Sequence, residues 1–140
     1  MNQEELAKIR RFNRDYVLIL GILNNSMKDL DYSLTEGRVI FEVGNGSHVI
    51  ANQLATKLHI DRSYLNRLIN KLAKDGLLSK TASESDNRVK ILNLTTQGRK
   101  ALREINHQND LFTSELFSQF SADERHKIIN SMELITNRLL

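Results

Sequence analysis

The chain has 140 residues, of which 40% are apolar and 26% charged, and it contains neither cysteine nor proline. At this length one domain can bury roughly two-thirds of its unfolded surface, and the missing cysteine excludes a disulfide framework, a thiolate metal site and a thiol-based redox sensor. No stretch approaches the run of about 18 apolar residues that a membrane helix requires, and the polar, acidic opening Met1-Asn2-Gln3-Glu4-Glu5 is no secretion signal, so a cytoplasmic protein with no membrane partner is expected. The net charge of +3 is unevenly distributed. Residues 61–100 hold nine Lys or Arg against four Asp or Glu, whereas residues 101–140 hold four against six. A basic block between neutral and acidic flanks points to a polyanion on one face.

Residues 4–24 form the first predicted element. Leu6, Ile9, Phe12, Tyr16, Ile19, Leu20 and Leu23 recur at helical spacing, and Asn24-Asn25-Ser26 supplies a stop. Ser33 and Glu36 make a capping box for a second helix, which ends at Gly44-Asn45-Gly46. Ser47 is the expected cap of a third helix bearing Val49, Ile50, Leu54, Ala55 and Leu58, and Asp61 the cap of a fourth with Leu65, Leu68, Ile69 and Leu72 on one stripe. The period then changes. Residues 77–80 and 89–94 read as two short strands joined by the polar loop 81–88. Thr95 caps a long helix over about 96–118, and Ser121 with Glu124 opens a last one.

The third and fourth helices are separated by about two residues, the span of a helix-turn-helix. Burying the apolar stripe of the fourth leaves Arg62, Ser63, Tyr64, Asn66, Arg67, Asn70, Lys71 and Lys74 outside. These side chains suit DNA. Arg reaches guanine O6 and N7 bidentately, Asn pairs with adenine N6 and N7, and hydroxyls reach phosphates. A merely solvated face would carry more Glu. The hairpin that follows adds a wing, with Asp86 able to orient Arg88 by hydrogen bonding and Lys90 alongside. An Arg on a thin loop can enter the minor groove, where the potential is most negative.

Residues 47–98 resemble the MarR (multiple antibiotic resistance) winged-helix regulators. The resemblance rests on Ile50-Ala51-Asn52-Gln53-Leu54-Ala55, on Asp61 to Ile69, on Lys74-Asp75-Gly76-Leu77-Leu78, and on Asp86-x-Arg88 followed by Leu92-x-Leu94-Thr95-x-x-Gly98. The segments Ile9 to Tyr16 and Ser33 to Val39 look closer still to the regulator half of proteins that fuse such a domain to a GNAT-type acetyltransferase; no acetyltransferase follows within these residues, so no catalytic role can be carried over. The resemblance implies a mainly α fold in a single domain over residues 1–140. A winged helix spans about 33–98, and about 1–30 and 99–140 supply dimerisation helices. It implies a homodimer on double-stranded DNA, acting as a repressor at a pseudo-palindromic operator and released by a small-molecule effector. The apolar residues of the terminal helices, among them Leu6, Ile9, Phe12, Leu111, Phe112, Ile128, Met132 and Ile135, are consistent with a second copy as partner.

The expected site is therefore Arg62, Ser63, Tyr64, Asn66, Arg67, Asn70, Lys71, Arg88 and Lys90 on DNA, with Asp86 orienting the wing. No cofactor or metal is expected, because His48, His59, His107 and His126 are scattered without ligand spacing. Ser47 and Ser63 lack a readable His and acid, so the chain is not expected to be an enzyme. The competing readings are a dimeric protein-interaction or anti-repressor module that keeps the winged helix, and a subunit paired with a separate acetyltransferase.

Overall fold

All but one of the helix starts lie where short polar side chains satisfy the first free backbone N–H groups. The computed structural model describes residues 1–24 and 29–140, apart from the side chains of Leu20, Leu23 and Asn24. Part of the predicted stop, Asn25-Ser26, and the side chains of Leu20 and Leu23 lie outside the described residues. Helices α1 (Gln3–Asn24), α2 (Leu34–Asn45), α3 (Ala51–Leu58), α4 (Arg62–Lys74), α5 (Thr96–Phe117) and α6 (Ala122–Leu139) are accompanied by short strands β1 (Val49–Ile50), β2 (Leu78–Ala82) and β3 (Lys90–Leu94). The chain divides into two compact units, Met27–Gln108 and Met1–Ser26 with Asn109–Leu140.

The unit Met27–Gln108 is a winged helix. Ser33 opens α2 with a complete capping box, in which its Oγ accepts from Glu36 N and Glu36 Oε2 accepts from Ser33 N. Asp61 caps α4 by accepting from Tyr64 N at 2.8 Å. Val39, Ile40, Leu65, Ile69, Leu72 and Leu77 are almost wholly buried and form the centre of one core, which Leu54, Leu58, Leu92, Leu94 and Ile105 complete. Each such side chain is worth about 1.5–3 kcal/mol when fully removed from water. The sheet runs β1-β3-β2, antiparallel throughout, with Leu78 opposite Leu94 and Ala82 opposite Lys90.

Two expectations need correction. Ser47 does not cap α3, and Val49 and Ile50 are not helical. They form β1, paired with Leu92 and Ile91 on the free side of β3, and α3 begins one residue later behind Ile50, which has extended backbone and no side-chain cap. His48 has φ 53°, a left-handed turn that interrupts any helix before β1. The edge of β3 offers two β-branched or apolar partners, and that long-range pairing overrides the local cap. The hairpin is also longer than the strand pattern suggests, since β2 continues through Thr81 and Ala82 and the loop spans 83–89.

The wing is fixed at its base by close backbone packing. Thr95 Oγ1 donates to Gly76 O at 2.6 Å and accepts from Gly98 N at 2.9 Å. Thr95 N donates to Leu77 O at 3.0 Å. This brings the first turn of α5 so near the α4–β2 turn that a Cβ on Gly98 would sit 2.1 Å from Leu77 O. Gly76 itself has φ 77°, as the helix end requires.

In the other unit α6 opens on the Ser121–Glu124 capping box. Among the described residues no side chain of α1 or α6 is buried. Phe12 stacks on Tyr16 with ring centroids 5.4 Å apart, and an apolar cleft of about 580 Å³ lies between the two helices, lined by Phe12, Tyr16, Ile19, Ile128, Met132 and Ile135 among others. Among the described residues no helix is long and apolar enough to cross a membrane.

The Gly98 contact makes a stability prediction. Gly98→Ala should destabilise the protein by about 1–3 kcal/mol, because the new methyl group meets a carbonyl rather than a yielding side chain. Gly21→Ala, where nothing lies within 4 Å of the added Cβ, should be neutral or stabilise by up to about 1 kcal/mol through helix propensity. Chemical denaturation of both variants checks the contrast.

Candidate nucleic-acid interface

Helix α4 owes its orientation to Leu65, Leu68, Ile69 and Leu72, all buried. With a turn of 3.6 residues, this stripe directs Ser63, Arg67, Asn70 and Lys74 away from the core. Arg62 and Asn66 flank them on the side of the wing, Tyr64 and Lys71 on the side of α2. All eight are exposed. The Arg67 guanidinium lies 5.7 Å from the Tyr64 ring centroid, a cation–π contact of about 0.5–1 kcal/mol at an exposed site. It limits the rotamers of Arg67 without occupying its donors.

The wing stands beside this face. Lys80 Nζ on β2 donates to Asn70 Oδ1, tying strand to helix. At the loop, Asp86 Oδ1 accepts from Arg88 N at 2.9 Å and lies 3.4 Å from Arg88 Nε. Val89 N closes the turn on Asp86 O, and Ser83 N bonds Val89 O. The Arg88 side chain is 93% exposed all the same. Between helix and wing runs a cleft of about 250 Å³ lined by Asn52, Arg62, Asn66, Lys80, Arg88 and Lys90 over an apolar floor that includes Ile69 and Leu92, with no acid on its walls. The structure thus brings Arg62, Asn66, Arg88 and Lys90 to one cleft, with Ser63, Arg67 and Asn70 on the adjoining crest.

Lys71 stands apart. Its Nζ donates to Glu36 Oε1 at 2.7 Å and lies 3.4 Å from Asp75 Oδ2. Among the described residues Glu36 is the one buried charged side chain. Burial is the largest influence on its carboxyl and opposes ionisation. The hydrogen bonds from Lys71 and from Ser33, with the Lys71 charge, together outweigh it and hold the pKa below the ordinary glutamate value. The same hydrogen bond, donated to Glu36, raises the pKa of Lys71. A second tie, Lys57 to Glu42, joins α3 to α2. Sequence reasoning found Glu36 only as a capping residue. Its free oxygen meets a lysine 35 positions away, and no local pattern encodes that distance. Among the described residues no three His, Asp or Glu converge as a metal site.

Residues 30–88 match the MarR family. The HTH-type transcriptional regulators YdgJ and YybA of Bacillus subtilis (strain 168) are similar, at 25% identity over 95 residues and 28% over 110. The matched stretches cover 68% and 77% of this chain but 58% and 72% of theirs. Both are named as HTH-type transcriptional regulators. In space the chain resembles FabT of Streptococcus pneumoniae, whose crystal structure is a complex with DNA, with a TM-score of 0.74 and 19% identity over 99% of this chain and 97% of that one. In fold the chain is likewise similar to a mutant MarR of E. coli, with a TM-score of 0.74 and 18% identity over 97% of each chain.

Because the folded Glu36 carboxyl titrates below its unfolded counterpart, its ionisation stabilises the fold above the ordinary glutamate range. That contribution is lost as pH falls through the lowered folded pKa. Glu36→Gln should therefore flatten the acid limb of a stability–pH curve. Urea midpoints taken from neutral pH downward, in wild type and variant, measure the difference.

Proposed function

We propose that this protein is a MarR-family DNA-binding transcriptional regulator that acts as a homodimer. The observation that carries the reading is the acid-free cationic cleft between α4 and the wing, continuous with the outward face of α4. Arg62, Ser63, Tyr64, Asn66, Arg67 and Asn70 on the helix are the proposed major-groove contacts. Arg88 and Lys90 are the wing contacts, and Asp86 is the residue that steadies Arg88. A helix of this width fits the major groove, whereas a thin loop bearing a highly exposed Arg fits the minor groove. That the similar FabT structure is a complex with DNA supports a DNA-binding role for this fold.

The homodimer rests on the terminal unit. Ile9, Phe12, Ile22, Leu111, Met132, Leu134 and Leu139 are each more than 40% exposed. Helices α1 and α6 bury nothing fully among their described residues, and an apolar surface of this extent is characteristic of an obligate interface with a second copy. Two reading heads related by a dyad require a pseudo-palindromic operator, with half-site centres about 10–10.5 base pairs apart. Repression by operator occupancy, lifted by an effector, is the corresponding regulatory reading.

Binding to the chain's own upstream region tests the proposal. If the dimer neutralises six to ten phosphates, affinity should fall by about 10³ to 10⁵ between 50 and 200 mM salt. A flat salt response with a tight protein heterocomplex would favour the interaction-module reading instead.

Helix and wing should separate by mutation. Arg67→Ala should relax preference at defined base pairs, by about 1–3 kcal/mol for a lost bidentate contact. Arg88→Ala should weaken all sequences nearly evenly and reduce the salt slope, with Asp86→Ala a milder version of it. Footprinting and titration against single-base operator variants distinguish these outcomes, and the reverse pattern would exchange the two assignments.

A further inference from the structure

The capping box at the start of α2 ends on a carboxylate with a second task. One oxygen of Glu36 closes the cap on Ser33 N, and the other reaches α4 to take the Lys71 ammonium. Glu36 is 6% exposed, while the Lys71 side chain is 53% exposed. Lys71 is thus at the surface, one turn beyond Arg67, and solvent access is no obstacle to a DNA phosphate. The obstacle is electrostatic. If Lys71 turned to a phosphate, it would leave Glu36 as a buried carboxylate without its counter-charge, which is strongly unfavourable. With Asp75 on the other side of its Nζ, the lysine contributes little net charge to the surface. Arg62, Arg67 and Lys74 on the same helix have no carboxylate partner among the described residues.

We propose that Glu36 is a specificity-determining residue that withholds Lys71 from the DNA backbone and so limits sequence-independent binding. The inference rests on the DNA-reading role proposed above. Phosphate contacts supply essentially all non-specific affinity, whereas a regulator's selectivity depends on the ratio of specific to non-specific binding. A cation held back on the recognition helix lowers the second quantity without removing any base-reading side chain. The same tie also fixes the roll of α4 relative to α2.

The test is the salt slope of binding to a random-sequence duplex. Glu36→Gln removes the charge but keeps an oxygen able to accept from Ser33 N. It should steepen the slope of log K against log salt by about 0.9 for each winged helix bound, and raise affinity several-fold at low salt. Lys71→Gln alone, which retains a donor for Glu36, should leave the wild-type slope unchanged. Glu36→Gln with Lys71→Gln should return to the wild-type slope, and Glu133→Gln, the same charge change on α6, should leave it unchanged. The proposal is overturned if Lys71→Gln makes the slope shallower, as this means Lys71 already touches DNA. It is also overturned if a folded Glu36→Gln protein keeps the wild-type slope, or if its increase survives removal of Lys71. Should Glu36→Gln fail to fold, the slope of Lys71→Gln decides alone. A wild-type protein that binds no DNA overturns the DNA reading and this inference together, whereas a wild type that binds with an unsteepened variant overturns only the inference.

Discussion

The burial of Leu65, Leu68, Ile69 and Leu72 is the constraint from which the rest of the winged helix follows. These four side chains of α4 are at most 8% exposed, and they meet Val39, Ile40, Leu54, Leu58, Leu77 and Leu92 from the surrounding helices and sheet. A helix anchored along one stripe cannot roll without exposing that stripe. The polar side is therefore presented at a fixed angle, and the side chains able to read bases are pre-aimed without any interaction of their own. This is why α4 can dispense with surface ion pairs along most of its outer face.

Three polar ties refine that placement. Glu36 holds Lys71 on the α2 flank, Asn70 holds Lys80 on the wing flank, and Thr95 ties the base of the wing to the turn that ends α4. Each links elements that the apolar core already brings together. The Glu36 tie differs because it is a buried charge, for which a missing partner is costly. It couples the architecture to the electrostatics of the surface: the pair that helps set the roll of α4 also removes one cation from the outer face.

Much of this was legible in the sequence. The capping boxes Ser33–Glu36 and Ser121–Glu124, the Asp61 cap and the Gly76 stop depend on contacts within four residues, and all are present. The apolar stripe of α4 is set by helical period alone, so its exposed face could be read directly. Asp86 and Arg88 are two residues apart, and their hydrogen bond is again local. The sequence misled at Ser47, where a plausible cap lost to β1. Pairing of Val49 and Ile50 with Leu92 and Ile91 spans some forty residues, and a two-residue strand leaves no periodic trace.

By itself, then, the sequence determined the order of the helices and of the two hairpin strands, the buried and exposed sides of α4 and the composition of the wing, because each is governed by spacing shorter than two helical turns. Only the tertiary structure decided which of the exposed cations are free. Arg62, Arg67 and Lys71 are alike as residues on an amphipathic helix, and along the chain only Asp75, four residues beyond Lys71, sets that lysine apart. The docking of the α2 cap against α4 completes the separation. Lys71 is neutralised by Glu36 while Arg62 and Arg67 have no carboxylate partner among the described residues, because electrostatic pairing depends on distance in space, and that distance is set by how the apolar core packs the two helices together.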